Sequence, residues 1–220
     1  MAKKIFLSPS SQTGNVYSYG NTNEAVVCGR IAAFCEAALK RCGFEVKNEQ
    51  FDTLKNRVQH SNQWGADLHI PIHTNAFNEK VTGTRIMCYD LKGEGYKASK
   101  AVFDVLAPIT PGTSENIKAS TFYEIVNSNA PCVYVEADFH DVPEVAKWII
   151  ENTVAIGEAI CKGICNYFGE KYIEPKTEQT EDVMYRVQVG AFRNRGYAED
   201  YLKKVKDAGF PDAYITEIRG

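Results

Sequence analysis

Along the chain the spacing of apolar residues switches repeatedly between a period of two and a period near 3.6, the periods of strand and helix. "KKIFLSPS" reads as a short strand that runs into a polar loop, "SSQTGNVYSYGNTN". From Glu24 the apolar positions Val27, Ile31, Cys35, Leu39 and Cys42 fall on one helical face, and Gly43 stops the helix. "FEVKNEQF" predicts a strand and "TLKNRVQHSNQW" a second helix. "TGTRIMCYDL" predicts a strand and "YKASKAVFDVLAPI" a helix. In "APCVYVEADFHD", a further strand, Val133 and Val135 share one face while Tyr134 and Glu136 share the other. Pro143 to Phe168 predicts one long amphipathic helix. Strands alternating with helices imply an α/β fold with a mostly parallel central sheet flanked by helices.

Between the second helix and "TGTRIMCYDL" lies "GADLHIPIHTN", residues 65–75. Leu68, Ile70 and Ile72 alternate with His69, Pro71 and His73, and Pro71 argues against a helix because it would lose a hydrogen bond and clash. On a strand the two imidazoles face the same way but sit roughly 13 Å apart, at about 3.3 Å per residue. Zinc reaches only about 2.0–2.1 Å to a nitrogen, so at most one of them is a ligand. His73 is the better candidate, because open α/β sheets place their sites at the carboxyl ends of strands. His69 is expected to be a hydrogen-bonded histidine of the core.

The composition shifts after residue 168. "GEKYIEPKTEQTED", residues 169–182, is charged, nearly free of apolar residues and reads as a solvated linker. Residues 183–220 then show a strand "VMYRVQVGAF", a helix "NRGYAEDYLKKVKDAGF" with Ala198, Leu202 and Val205 inward, and a strand "DAYITEI". Such a βαβ unit is too small to be comfortable alone and is read as an appended, truncated module.

The net charge of −3, with 44% hydrophobic and 24% charged residues, points to neither a nucleic-acid partner nor a membrane surface. No stretch approaches the ~20 apolar residues of a membrane span. The start lacks the apolar run of a signal peptide, so synthesis in the cytoplasm is expected. The seven cysteines, with no C-x-x-C, are read as small buried hydrophobes rather than as disulfides or metal ligands.

Three residues can join His73. Glu24 opens the first helix, where the dipole favours a carboxylate. Glu136 ends the "CVYVE" strand, an odd place for a charge unless something polar or cationic faces it. The loop after the first strand supplies Gln12. A histidine, a carboxylate ligand, a free carboxylate and an open position form the layout of a catalytic zinc site.

On these residues the chain resembles the zinc-dependent N-acetylmuramoyl-L-alanine amidases that lyse bacterial cell walls. The resemblance rests on Glu24, on "RVQHSNQWGADLHIPIHTN" with Arg57, Asn62, His73 and Asn75, on Gly83 and Thr84, and on "APCVYVEADFHD" with Glu136. It implies an amidase domain over residues 1–168, with peptidoglycan as substrate and Zn2+ as cofactor. Carried over by position, Glu24 and His73 are zinc ligands and Glu136 activates water. Asn75 is a candidate for binding the stem peptide. The family's usual first ligand is a histidine in "D-P-G-H-G-G", where this chain has "SPSSQTG" and places Ser11 or Gln12. Gln12 is favoured there by position, although an amide oxygen is a poor ligand for zinc. His140, four residues past Glu136, is an alternative ligand, a support for a ligand, or simply a surface loop histidine. Residues 183–220 resemble half of a SPOR domain, a wall-binding module. The chain is then expected to act on the wall after release. Two alternatives stay open: a metal-free peptidoglycan-binding protein, and a zinc peptidase acting on the stem peptide.

Overall fold

A computed structural model describes residues 2–113, 116–175, 187–207, 210 and 213–217. The chain divides into two compact units, residues 1–175 and 176–220.

The first unit is built on β1 (Lys4–Pro9), α1 (Glu24–Arg41), β2 (Glu45–Asn48), α2 (Leu54–Trp64), β3 (Leu68–Asn75) and β4 (Arg85–Cys88). It continues with α3 (Gly93–Leu106), β5 (Asn116–Ala119), α4 (Tyr123–Asn127), β6 (Tyr134–Phe139), α5 (Pro143–Glu151) and α6 (Thr153–Phe168). Among the described residues the strands form one six-stranded sheet in the order β2-β1-β3-β6-β4-β5. Every pairing is parallel except that of β4 with β6. The mostly parallel α/β sheet expected from the sequence is therefore present.

Strand β3 is buried from Leu68 to Thr74, which covers both of its faces. Its aliphatic face, with Leu68, Ile70 and Ile72, joins the main core made with Val27, Ile31 and Leu39 of α1 and Ile160 and Ile164 of α6. The opposite face carries His69 and His73, so the alternation read in the sequence separates two buried environments rather than core from water. Asn23 caps α1 by accepting from the Val26 N–H at 3.1 Å. Gly65 ends α2 in the left-handed conformation at φ 70°, where only glycine avoids a Cβ penalty. These two devices fix where the helix bearing Glu24 begins and where the strand bearing His73 starts.

The single helix expected from Pro143 to Phe168 is broken in two. Asn152 leaves helical geometry at φ −116° and ψ 23°, and its side-chain amide donates to the Trp148 carbonyl at 2.8 Å. An asparagine that offers the backbone this local bond, followed by a β-branched threonine, competes with helix continuation. Strand β5 and helix α4, four and five residues long, are additions that no periodicity signalled. Residues just past α6 stay with the first unit: Arg41 Nε donates to the Ile173 carbonyl at 2.8 Å and the Tyr172 hydroxyl to Glu158 at 2.6 Å. Of the expected linker, residues 176–182 lie outside the described residues.

In the second unit α7 spans Arg195–Asp207, and Ala198, Leu202 and Val205 are its half-buried positions, as the apolar spacing predicts. The flanking strands are not seen where they can be checked. Residues 187–192 and 213–217 carry no strand, while 183–186, 212 and 218 lie outside the described residues. Alternation decides which side chains share a face, but a strand also needs a ladder partner, and no ladder forms among the described residues of this unit. No helix among the described residues is long and apolar enough to cross a membrane.

Candidate functional site

Four sequence positions meet at the carboxyl edge of the sheet. The N-terminus of α1 aims Glu24 at the end of β3, where the buried Glu24 Oε1 lies 2.8 Å from His73 Nδ1. Asn15, from the loop after β1, donates to Glu24 Oε2 at 2.6 Å and to Gln12 Oε1 at 3.0 Å. Gln12, Asn15, Glu24 and His73 thus form one connected polar chain. Glu136 is the register partner of His73 across the parallel β3–β6 pair and of Arg85 across the antiparallel β6–β4 pair. Below His73 the ring of Tyr134 stacks at 4.7 Å and 17°.

The electrostatics separate the two carboxylates. Burial pushes the Glu24 carboxyl up, but the hydrogen bond and charge of His73, with hydrogen bonds from Asn15 and Ser10, outweigh it and hold Glu24 below the usual range. Glu136 is shifted the other way. Burial and the negative charge of Glu24, only partly offset by His73 and Arg85, push it up to about 7. Two neighbouring carboxyl groups with opposite shifts suit different tasks: one is held as an anion, and the other lies where it can trade a proton near neutrality.

Whether a zinc ion suits this pocket can be judged from what the pocket lacks. His73 Nε2 and Glu136 Oε2 are buried with no hydrogen-bond partner among the described residues. Glu24 touches the His73 imidazole, and Glu136 is the neighbour of His73 on β6. The contact of Glu24 with His73 Nδ1 at 2.8 Å is a hydrogen bond, and the two atoms need only part to about 3.3 Å to serve as neighbouring ligands of a tetrahedral ion that each holds at about 2.0–2.1 Å. Glu24 and His73 therefore fit a divalent cation as two of its ligands. No third His, Cys, Asp or Glu among the described residues brings a donor within 4.8 Å of both.

His140 is not a surface histidine. It is buried, stacks on Tyr17 at 4.8 Å and 8°, and shares Thr74 Oγ1 with the Tyr17 hydroxyl, at 3.0 and 2.8 Å. Burial lowers its pKa despite the charges of Glu24 and Asp141. Asn75 turns its side-chain oxygen to the N–H of Ala76 at 2.9 Å, and its carbonyl accepts from the His140 N–H at 2.7 Å. Of the six candidates, then, Gln12, Glu24, His73 and Glu136 converge while Asn75 and His140 organise the strand end beside them.

A cleft of about 410 Å³ opens over this edge, lined by Gln12, Arg57, His73, Tyr123, Glu124 and Tyr134 among others. Glu124 was not expected from the sequence. It is buried, accepts a hydrogen bond from the Ser8 hydroxyl and lies 3.3 Å from His69 Nε2. His69 is fully buried, with Nδ1 3.0 Å from Ser61 and its ring on Phe6 at 5.3 Å, the core histidine that the sequence predicts. Burial pushes Glu124 up, and His69, Ser8 and Arg57 more than compensate. Arg57 is buried beneath the cleft and donates to the Pro9 carbonyl at 2.7 Å. The one signal for Glu124 was a lone carboxylate between the apolar residues of "TFYEIV".

A family model described as N-acetylmuramoyl-L-alanine amidase matches residues 9–166, and a SPOR domain model matches residues 171–220. A sporulation-specific N-acetylmuramoyl-L-alanine amidase of Bacillus subtilis (strain 168) is 23% identical over 171 residues, which are 77% of this chain and 65% of that protein. The chain thus spans just under two thirds of that relative's length. Among solved structures, the amidase AmiC2 of Nostoc punctiforme superposes with a TM-score of 0.69 at 21% identity, over 76% of this chain and 98% of that one. The catalytic domain of CwlV from Bacillus (Paenibacillus) polymyxa var. colistinus gives 0.67 at 18% identity, over 76% and 99%. At such identities the structural likeness is one of fold.

Proposed function

We infer from one premise, that this chain belongs to the N-acetylmuramoyl-L-alanine amidase family, that it hydrolyses the amide between N-acetylmuramic acid and the L-alanine of the peptidoglycan stem peptide. The observation that carries the reading is the pairing of Glu24 with His73 at 2.8 Å beside Glu136, a second carboxyl group poised near neutrality.

In this reading Glu24 and His73 would hold zinc, with Gln12, linked to Glu24 through Asn15, as the loop residue that would complete the site. When bound, the ion supplies Lewis-acid polarisation of the amide carbonyl and a lower pKa for an attacking water. Glu136 would take a proton from the attacking water as its oxygen bonds to the amide carbonyl carbon, and would return it to the alanine nitrogen as the carbon–nitrogen bond breaks. Such acid–base work is worth typically ~10²–10⁴-fold and is best done by a group whose pKa lies near the working pH. Tyr134 fixes the His73 ring by stacking, and Asn15 holds the Glu24 carboxylate in place from behind. Arg57 and the Glu124 helix wall the cleft in which the stem peptide lies. The SPOR-like tail supplies affinity for the wall, and the chain acts there after release.

The reading is tested by labelling the amino termini that appear when purified peptidoglycan is incubated with the protein. New L-alanine termini, absent with Glu136→Gln, support it. Termini of other stem residues mean a peptidase, and binding without new termini means a wall-binding protein.

A further inference from the structure

Three of the seven cysteines meet at one helix contact, far from the candidate site. Cys42 caps the C-terminal end of α1, and Cys161 and Cys165 lie one turn apart on the face of α6 that packs against it. The 18 residues of α1, about 27 Å of helix at 1.5 Å per residue, separate Cys42 from Glu24. The sulfurs of Cys42, Cys161 and Cys165 all lie within 4.8 Å of one another, and Cys42 and Cys161 are 3.8 Å apart. They are the single trio of metal-ligating side chains this close among the described residues. All three are free thiols. The Ile173 N–H points at Cys42 Sγ from 3.3 Å, a donor suited to a thiolate.

The geometry matches a metal better than a disulfide. A zinc–thiolate bond is about 2.3 Å, so two thiolates on a tetrahedral ion sit about 3.8 Å apart. The Cys42–Cys161 pair already has that separation, whereas a disulfide needs the sulfurs near 2.05 Å. Burial pushes the Cys161 thiol up and the Cys165 thiol up to about 12, so without a cation these groups stay protonated. Among small hydrophobes the same volume is filled by alanine or valine without gathering three soft donors on one point.

We propose that Cys42, Cys161 and Cys165 form a second metal site, a thiolate site for a soft transition-metal ion of the zinc class, with a water as the remaining donor. Binding exchanges one proton per thiol for a metal–sulfur bond, and no electron is transferred. The site ties the end of α1 to α6 and to the segment at Ile173.

Cobalt(II) titrated into the full chain, stripped of metal and kept reduced with a phosphine, tests this. The expected result is a near-ultraviolet cobalt–thiolate charge-transfer band that saturates at one ion and is displaced by zinc. It persists in His73→Ala, which removes a ligand of the other site, and it is lost in Cys161→Ser. Cys42 is partly exposed, so Cys42→Ser is a second variant whose fold, checked by circular dichroism, is under less strain, and it too loses the band. A reduced wild type without the band, or a band unchanged in folded Cys42→Ser, overturns the proposal and leaves the cysteines as packing.

Discussion

His73 Nδ1 and Glu24 Oε1 approach to 2.8 Å although 49 positions separate them in sequence. The contact joins the end of β3, buried as far as Thr74, to the first turn of the helix that covers it. Removing one partner strands the other in the core. Glu24→Ala is therefore expected to weaken zinc binding by at least ~10-fold and to lower stability by about 1–3 kcal/mol through the orphaned imidazole. Chelator competition and urea unfolding measure the two effects, and a loss of stability with unchanged zinc affinity would remove Glu24 from the ligand set.

Glu136→Gln should keep the fold and the zinc but lose at least ~10²-fold in rate. The same variant isolates a pH effect in the metal-free protein. Because the folded carboxyl is raised to about 7, the folded state holds a proton that the unfolded chain releases near pH 4.5. Stability from this group is complete below the unfolded value and is lost as pH rises to about 7, by up to ~3 kcal/mol at 1.36 kcal/mol per unit. Unfolding curves between those limits should slope downward with pH in the wild type and less so in Glu136→Gln.

The first-ligand position separates Gln12 from His140. Gln12→His should raise zinc affinity at least ~10-fold, since imidazole suits zinc better than an amide oxygen. His140→Ala should leave the affinity within a few-fold and cost stability instead, about 0.5–1.5 kcal/mol of stacking on Tyr17 plus the bond to Thr74. Zinc titration of both variants gives the answer. Collapse of affinity in His140→Ala alone would reverse the assignment.

Deleting residues 176–220, at the boundary between the two units, should preserve hydrolysis of soluble muropeptides while reducing sedimentation with intact sacculi. The cut spares Tyr172 and Ile173, whose bonds to Glu158 and Arg41 belong to the first unit. Equal sedimentation of both forms would show that the tail does not bind wall.

Much of this site was legible because strand ends and helix starts are legible. Period two running to His73 and a helix opening at Glu24 are local patterns, and a parallel sheet gathers such ends on one edge, whereas Glu136, expected to end its strand, is the third of six residues of β6, which runs on to Phe139. Side-chain direction was not legible. Asn75 sits at the right strand end, yet it turns to the backbone of Ala76, and His140 turns to Thr74 rather than to Glu24. Glu124 escaped notice because it rides on a five-residue helix, too short for any periodicity. The break at Asn152 depends on one side-chain bond inside an otherwise continuous apolar stripe. The packing of Cys42 against Cys161 joins helices 119 positions apart, a separation that no spacing rule within one helix reaches.

Hydrolysis of a defined muropeptide in heavy-oxygen water, followed by mass spectrometry of the fragments, tests the account at its centre. Water activated by Glu136 and delivered to the muramyl amide places the heavy oxygen on the lactyl carboxylate of muramic acid and frees an unlabelled peptide beginning with L-alanine. Heavy oxygen on an amino-acid carboxylate within the stem, or none on any fragment, would contradict it.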